Sequence, residues 1–347
     1  MTKNKLIILV GLIGILLLFL FIWLITSKEP GKIISPLGSL KKEPKPTAKP
    51  LEKYSFENLK KRQGKKSKLK LEKVLKQENK FTSYLFSYTS EKRKITGLAN
   101  IPQGSGPFPV VVMLRGYVDQ QDYQTGVGTQ RGGEFFSNNG FITLAPDFLG
   151  YGGSDMPPNN VWEERFLRPL TVIDLLASIS SLDKADQEKI ALWGHSNGGM
   201  IALAVLEITG EDYPTCLWAP VSQFFPYDIL YYTYEFDDKG KALRKNLAEL
   251  EKEYDVNNYS FDEYLDWIKA PIQIHQGAAD QYIPLEWSKN LTEKLKEKEI
   301  KAELYTYPNT DHHLQGSWNK VVQRNLYFWT TNFEKKTASR IVENKKK

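Results

Sequence analysis

The segment that decides the fold is IALWGHSNGG, residues 190–199. Its first four residues are apolar, as in a short buried strand, and an apolar helix is predicted from Gly199 to Thr209. Between the two lies G-x-S-x-G, which in the context of strand, turn and helix predicts a sharp turn that exposes the serine hydroxyl. Glycines at 194 and 198 allow the close backbone approach that such a turn requires. The segment therefore predicts Ser196 as a nucleophile, in preference to an ordinary glycine-rich turn.

Strand-like and helix-like segments alternate on either side of this turn. The predicted strands are Val110–Leu114, Phe141–Ala145, Ile190–Trp193, Thr215–Trp218, Ile272–Gln276 and Ala302–Tyr307. The predicted helices are Thr129–Asn139, Trp162–Ser181, Gly199–Thr209, Leu285–Glu299 and Trp318–Phe333. A hairpin of Phe81–Thr89 and Ile95–Ile101 precedes them. The alternation predicts an α/β fold, with a mostly parallel sheet and helices on both faces.

These segments place a single catalytic domain at residues 81–334. Residues 222–269 interrupt the alternation, and we interpret them as a small helical cap inserted between two core strands. The insert begins with FFPYDILYYTYEF, residues 224–236, which holds seven aromatic residues. Those aromatics are expected to form the core of the cap, a wall over the active site, or both.

The N-terminus carries an uncharged apolar run over residues 6–25, long enough for a helix to cross a bilayer. No small-residue cleavage pattern follows it, so an uncleaved transmembrane anchor is favoured over a removed signal peptide. Residues 26–80 are rich in proline and lysine and are interpreted as a linker and a lead-in. Within them, residues 54–80 are expected to be solvated, with a short helix or an edge strand as the alternative. Residues 335–347 are predicted to be a basic tail. We expect the catalytic domain to lie outside the cytoplasm.

The charge of the chain is segregated. The net charge is +6, but residues 1–80 carry +13 and residues 335–347 carry +5, so the domain between them is acidic at −12. An acidic body with basic ends disfavours a nucleic-acid-binding surface. The expected contacts are therefore a membrane, through the N-terminal helix, and a small substrate.

A serine nucleophile needs a base, and the chain holds only four histidines. His195 adjoins the serine in the turn, so its ring is expected to point away. His275 lies within an apolar strand and is expected to be packed in the interior. His312 and His313 remain, in a loop after the last strand, at the sheet edge where catalytic groups collect.

A carboxylate should orient the imidazole, and Asp280 follows the strand Ile272–Gln276 at the same edge. Asp155, after an earlier strand, is the alternative acid. The order serine, aspartate, histidine is that of the α/β-hydrolases. The main-chain N–H groups of Asn197 and Tyr117 are predicted to form the oxyanion hole.

No cofactor or metal is predicted. Residues 126–132 (GVGTQRG) approach a dinucleotide-binding pattern, but the last spacing is wrong and no strand immediately precedes them. The histidines show no metal-ligand spacing. Cys216, the single cysteine, lies on an apolar strand and is expected in the core.

Five segments carry a resemblance to a known family: FPVVVMLRGY, APDFLGYGGSD, GHSNGGM, APIQIHQGAADQYIP and YPNTDHH occur in this order. Together they resemble the catalytic domain of the prolyl oligopeptidase family of serine peptidases, in the α/β-hydrolase superfamily, over about residues 95–330. The resemblance implies a triad of Ser196, Asp280 and His312, because the family's terminal histidine follows the tyrosine by five residues and so selects His312 over His313. Arg115, where many hydrolases have histidine, and Asn197, where the family's peptidases often have an aromatic residue, depart from the family pattern.

The resemblance leaves the scissile bond open. Between the predicted anchor and the domain there is no room for the β-propeller of the full-length peptidases, and related proteins without it are often esterases. The sequence predicts a membrane-anchored serine hydrolase that cleaves a peptide or a small acyl ester through an acyl-enzyme. A carboxylesterase or acyltransferase without peptidase activity is the alternative. A non-catalytic binding module is disfavoured because all three triad residue types are present.

Overall fold

The computed structural model describes residues 49–344, with side chains to residue 341. The chain divides into two units, Met1–Lys49 and Pro50–Lys347. The predicted anchor over residues 6–25 lies outside the described residues, as does most of the linker. Within residues 49–344, no helix has both the length and the apolar content needed to cross a bilayer.

A nine-stranded sheet forms the centre of the second unit, in the order β1-β2-β3-β5-β4-β6-β7-β8-β9. The strands are β1 Lys70–Gln77, β2 Phe81–Ser90, β3 Arg93–Pro102, β4 Phe108–Leu114, β5 Ile142–Pro146, β6 Ala185–His195, β7 Thr215–Trp218, β8 Ile272–Gly277 and β9 Ala302–Tyr307. The first three strands and the β3–β5 pair are antiparallel, and every pairing from β5 to β9 is parallel. The predicted mostly parallel sheet is thus confirmed.

Eight helices accompany the sheet in the described residues. They are α1 Phe56–Arg62, α2 Gln130–Asn138, α3 Val161–Ser178, α4 Asn197–Thr209, α5 Tyr227–Leu230, α6 Lys241–Glu251, α7 Leu285–Glu297 and α8 Trp318–Asn344. Side chains of α1, α3, α4 and α7 share one buried cluster, and those of α2 and α8 share another with the tryptophans of β6 and β7. The two clusters cover opposite faces of the sheet, so the prediction of helices on both faces is also confirmed.

Helix α4, which directly follows Ser196, is central to the larger cluster. Ten of its 13 residues are buried, because it packs on the sheet, on α3 and on the insert. A helix that is apolar all round needs such neighbours on every side. Gly210, at φ 60°, ends it in the left-handed conformation that glycine adopts most easily.

The folded unit begins at Pro50, so the predicted solvated lead-in over residues 54–80 is wrong. Tyr54, Phe56, Leu59 and Leu69 are buried in the larger cluster. Helix α1 is only seven residues long. Its few apolar residues are too close together to show a helical periodicity in a sequence that also contains several lysines. Strand β1 is exposed along its whole length and joins the sheet through main-chain pairing with β2, which hydropathy does not report.

A buried carboxylate fastens this N-terminal segment to α3. Asp174 is fully buried and accepts hydrogen bonds from Arg62 at 2.9 and 3.0 Å, from the Lys65 main chain at 2.7 Å and from the Ser90 hydroxyl at 2.7 Å. A buried charge is tolerated when its oxygen atoms are satisfied in this way. Residues 62–65 are thereby part of the domain.

The predicted basic tail is wrong as well, because α8 continues through Phe333 to Asn344. Its basic residues meet acceptors on the body: Lys336 donates to the Asp212 carbonyl at 3.3 Å, and Arg340 forms an ion pair with Glu188. These partners are distant in sequence, so the charge run alone did not indicate a helix.

The burial of Leu59 leads to a stability prediction. Leu59→Ala should lower the free energy of unfolding by about 2–5 kcal/mol, because it opens a cavity in the core. Leu71→Ala, at an exposed position of β1, is the control and should change it by less than about 0.5 kcal/mol. Urea unfolding of both variants measures the difference. Equal effects would contradict the inclusion of α1 in the folded unit.

Candidate active site

Ser196 occupies a strained turn between β6 and α4. Its backbone has φ 54° and ψ −120°, a conformation that residues with a side chain rarely adopt. Neighbouring main chain holds it there: the Ser196 N–H donates to the Trp218 carbonyl at 2.9 Å, and the Ser196 carbonyl accepts from the Val221 N–H at 3.0 Å. Both partners belong to β7 and its following loop. The conformation of the turn is therefore fixed by hydrogen bonds to residues about 20 positions later in the chain.

The glycines of the motif are required by close backbone contact. A Cβ on Gly198 would lie 2.0 Å from the Leu114 carbonyl oxygen, and one on Gly194 would lie 2.6 Å from the Gly198 carbonyl oxygen. Gly199 has the same constraint, with Pro220 Cβ at 2.7 Å. A side chain at any of the three would force the backbone apart, so the serine turn depends on all three glycines.

Asp280 and His312 lie together at the same edge of the sheet. Asp280 follows β8 and His312 follows β9, and His312 Nδ1 is 2.8 Å from Asp280 Oδ2. The other carboxylate oxygen of Asp280 accepts from the Tyr282 and Ile283 N–H groups at 2.8 and 2.9 Å. With Nδ1 bonded to the carboxylate, Nε2 of His312 is the nitrogen able to accept a proton.

The charged form of Asp280 is the favoured one. Burial by itself would raise its pKa, but the hydrogen bond from His312 and the two main-chain N–H donors outweigh burial and lower the pKa below its ordinary value. Gln276 adds a further donor to Oδ2 at 2.9 Å. Asp280 is thus held as a carboxylate in one orientation.

The loop after β4 packs directly on the serine. A Cβ on Gly116 would lie 3.0 Å from Ser196 Cβ, so this loop passes beside the nucleophile. Asn197 is the first residue of α4, where helix geometry leaves the N–H without an intrahelical partner. Within residues 49–344, neither this N–H nor that of Tyr117 donates a hydrogen bond. The phenol of Tyr117 points elsewhere and donates to Asp119 at 2.6 Å.

The model of the prolyl oligopeptidase family of peptidases matches residues 134–336, more than half of the chain. The chain belongs to the prolyl oligopeptidase family. The matched range contains Ser196, Asp280 and His312. Membership of this family of peptidases makes the chain a serine hydrolase.

Two curated relatives show how much of each protein is shared. The chain is 26% identical over 256 residues to the uncharacterized peptidase YtmA of Bacillus subtilis, covering 72% of this chain and 93% of YtmA. It is 22% identical over 241 residues to dipeptidyl peptidase family member 6 of Caenorhabditis elegans, covering 67% of this chain and 31% of that protein. The chain thus corresponds to nearly all of YtmA and to about a third of the larger relative.

Solved structures share the fold. Acetyl xylan esterase 1 from Thermoanaerobacterium sp. JW/SL YS485 superposes with a TM-score of 0.57 at 15% identity, covering 80% of this chain and 93% of the esterase. Porphyromonas gingivalis dipeptidyl peptidase 4 gives a TM-score of 0.54 at 16% identity, covering 73% of this chain and 36% of the peptidase. The α/β-hydrolase fold is thus shown for this family member.

Arg115, which departs from the family pattern, supports the loop after β4. Its guanidinium lies 4.4 Å from the Tyr123 ring centre and 4.2 Å from that of Tyr151, and it donates to the Gly116 carbonyl at 2.9 Å. Such stacking on aromatic faces stabilises a buried cation. Sequence reasoning missed this role, because the two tyrosines come from separate loops.

His195 has a structural contact that the sequence did not predict. Its ring is buried, with its centre 4.6 Å from that of His312, and its Nε2 lies 3.1 Å from the His312 carbonyl oxygen. The carbonyl can only accept, so His195 donates from Nε2. Burial, followed by the charge of neighbouring His312, lowers the pKa of His195 to about 3. A neutral imidazole therefore supports the segment that carries His312.

The remaining candidates do not take part in the Asp280–His312 hydrogen bond, although the ring centre of His313 lies 5.3 Å from that of His312. His275 is fully buried, with Nδ1 2.7 Å from the Tyr307 hydroxyl, and burial followed by the charge of Arg324 lowers its pKa to about 3. Asp155 accepts from the Lys94 N–H at 2.7 Å and closes a loop. His313 is exposed beside His195, at 5.4 Å between ring centres. The described residues hold no cluster of three or more His, Cys, Asp or Glu that could bind a metal.

The aromatic segment of the insert makes two kinds of contact. Phe225 is buried against Trp162 and Phe166, and Asp228 forms a buried ion pair with Arg165 of α3, so the insert is fixed to the body. Tyr231 packs edge-on against Trp287 at 4.8 Å, and the Tyr232 hydroxyl donates to the Tyr282 carbonyl at 3.4 Å. The ring of Tyr282 packs in turn on His312. Part of the segment is core, and part contacts Tyr282, the neighbour of His312.

Two buried histidines predict acid sensitivity. An unfolded histidine titrates near 6.5, whereas the pKa values of His195 and His275 are lowered to about 3 in the fold. Between these pH values the unfolded chain binds more protons, so stability is complete above 6.5 and falls as the pH drops. The equilibrium constant for unfolding should rise by up to about tenfold per pH unit for each histidine.

Urea unfolding at about pH 7, 6 and 5 measures this dependence. His275→Gln should reduce the dependence of the unfolding free energy on pH by the contribution of one histidine. This reduction is independent of how much the substitution changes the stability at pH 7. Other titrating groups contribute equally to both proteins and cancel in the comparison. The same slope in both would contradict a neutral, buried His275.

Proposed function

We propose that Ser196 is the nucleophile, His312 the general base and Asp280 the residue that orients and stabilises the imidazole. The observation that carries this assignment is the Asp280–His312 hydrogen bond of 2.8 Å at the sheet edge where the strained Ser196 turn lies. Ser196 directly follows His195, whose ring contacts the His312 segment. These contacts support a common location for the Ser196 turn and the loops that carry Asp280 and His312, which nucleophilic catalysis requires.

The reaction follows from these positions. His312 Nε2 accepts the Ser196 proton as the hydroxyl oxygen attacks a carbonyl carbon, and the N–H groups of Asn197 and Tyr117 stabilise the resulting oxyanion. His312 then gives the proton to the leaving amine or alcohol, which departs and leaves an acyl-enzyme. Water, deprotonated by His312, attacks the acyl carbon and releases the acid. Asp280 stays ionised throughout and stabilises the imidazolium.

We propose a peptide bond as the substrate bond. The family match supports this, as does the length agreement with YtmA, which is described as a peptidase. Apolar side chains border the nucleophile: Met200 lies one turn along α4, and Val221 and Ile283 share a cluster with Trp287. We expect this cluster to receive an apolar side chain of the substrate.

Ester hydrolysis is the second candidate. The described residues form one compact unit with no β-propeller among them, so no separate domain within this range restricts access to the site. The acyl-enzyme chemistry would serve an acetyl or longer acyl ester equally well, and an alcohol or amine acceptor in place of water would make the reaction an acyl transfer.

Paired substrates test the proposed bond. With the full chain, a fluorophosphonate should label Ser196, and chromogenic alanine and proline peptide amides should be cleaved. Ser196→Ala should lower amide cleavage by about 10⁴-fold or more, because the residual activity of triad variants is of that order. Ser180→Ala, at a serine outside the site, is the matched control and should retain it.

Each other outcome has a defined meaning. Turnover of short acyl esters without amide cleavage would replace the peptidase proposal with the esterase. Products formed with added alcohol or amine would indicate acyl transfer. Unchanged amide cleavage in Ser196→Ala would refute the assignment of the nucleophile.

We propose further that residues 6–25 anchor the chain in a membrane, with the domain on the extracytoplasmic side. The support is the uncharged apolar run of 20 residues in the sequence. In a bacterial host, the full chain should sediment with salt-washed membranes, and a variant that lacks residues 1–26 should be soluble and still react with fluorophosphonate. Protease added to spheroplasts should digest the domain. A soluble full chain, or a mature N-terminus after residue 25, would contradict the anchor.

A further inference from the structure

A cavity of about 390 Å³ lies beside the segment that carries His312 and is lined by His313 and Gln315 of that segment. Its walls are the loop 126–129 with the start of α2, the indole rings of Trp193, Trp218 and Trp318, and the rings of His195 and His313. Ser196, Asp280, His312 and Tyr117 do not line it. The volume falls in the range of roughly 300–1,000 Å³ that is typical of small-molecule sites.

The charge of the cavity favours an anion. Its lining residues include Arg131 and no acidic side chain. The guanidinium of Arg131 stacks 3.9 Å above the Trp318 ring and, within residues 49–344, forms no ion pair or hydrogen bond. Helix α2 directs its N-terminus to the same place, which adds a positive partial charge.

A buried donor in the wall also lacks a partner. Trp193 is nearly completely buried, and its indole N–H has no hydrogen-bond partner among the described residues. Buried donors are ordinarily paired, so an unpaired one beside a cavity indicates that a bound molecule supplies the acceptor. The three indole rings around it provide an apolar surface for the rest of such a molecule.

The cavity borders the segment that carries the catalytic histidine. His195 is part of its wall and donates to the His312 carbonyl, and His313 is part of its wall and follows His312 in the chain. A molecule bound against His195 and His313 is therefore expected to alter the position of His312. Because a small misplacement of a catalytic group lowers the rate strongly, occupancy of the cavity opposes catalysis.

We propose that this cavity binds a small carboxylate that carries an aromatic or branched apolar group, and that the bound carboxylate slows the reaction of Ser196 through His195 and His312. Binding is a property of the cavity alone, whereas the effect on Ser196 rests on the proposed function. The carboxylic acid released by the hydrolase belongs to the same chemical class, so product feedback is the expected use of the site.

Binding is tested with phenylacetate on the full chain, by calorimetry and by the fluorescence of the tryptophans. Phenylacetate should bind, and Arg131→Gln should weaken it by about tenfold, the loss expected when a charge-assisted hydrogen bond is removed. Arg93→Gln, at an arginine of β3 outside the cavity, is the matched control and should bind as the unmodified chain does. Phenylacetamide lacks the charge and acetate lacks the ring, so both should bind weakly.

Prior reaction with fluorophosphonate locates the binding. A chain blocked at Ser196 should still bind phenylacetate, since the cavity does not include the serine. Loss of binding after the block, equal binding of phenylacetamide, or no binding by the unmodified chain would each overturn the proposed site.

The rate of fluorophosphonate labelling at pH 7 tests the effect on catalysis without a known substrate. Saturating phenylacetate should slow labelling about fivefold, the low end of typical allosteric couplings. Arg131→Gln should label at a rate that the same concentration of phenylacetate does not change. An unchanged rate in a chain that binds phenylacetate would overturn the coupling while leaving the site. Failure to label without phenylacetate would instead refute the nucleophile.

Discussion

The structure depends on a single backbone constraint, the left-handed conformation of Ser196 between β6 and α4. That conformation is unfavourable for any residue with a side chain, and it is maintained because the Trp218 carbonyl and the Val221 N–H hold the turn from β7. Three glycines let the loop after β4 and the chain after β7 approach within contact distance. The exposed position of the Ser196 hydroxyl therefore depends on the central strands, on the apolar helix α4 and on the glycines of the turn.

Two of the histidines at the edge of the sheet are held by specific partners. His312 is fixed by the Asp280 carboxylate on one side, and its main chain receives a hydrogen bond from neutral His195 on the other. Arg115 has a comparable supporting role for the loop beside Ser196 through its two tyrosine rings. Positioning of the site therefore relies on buried polar groups that do not themselves react, and the cavity behind His195 lies next to one of them.

The larger relatives and this chain differ in what surrounds the shared domain. Here the described residues include a short N-terminal helix, an edge strand and a helical insert. The helix and the insert are fixed by the buried ion pairs of Asp174 with Arg62 and of Asp228 with Arg165, and the edge strand is held by main-chain pairing with β2. The insert brings aromatic side chains beside the Asp280 loop, where the Tyr232 hydroxyl donates to the Tyr282 carbonyl.

The sequence by itself predicted the parallel sheet, the Ser196 turn and the pairing of Asp280 with His312. Buried parallel strands are continuous apolar runs, and the turn has a local glycine signature, so both can be recognised without knowledge of distant residues. Only the tertiary structure revealed that the domain begins at Pro50, that α8 extends to Asn344, and that His195 and Arg115 support the site. Each of those features depends on partners far along the chain, and neither hydropathy nor local spacing carries information about such partners.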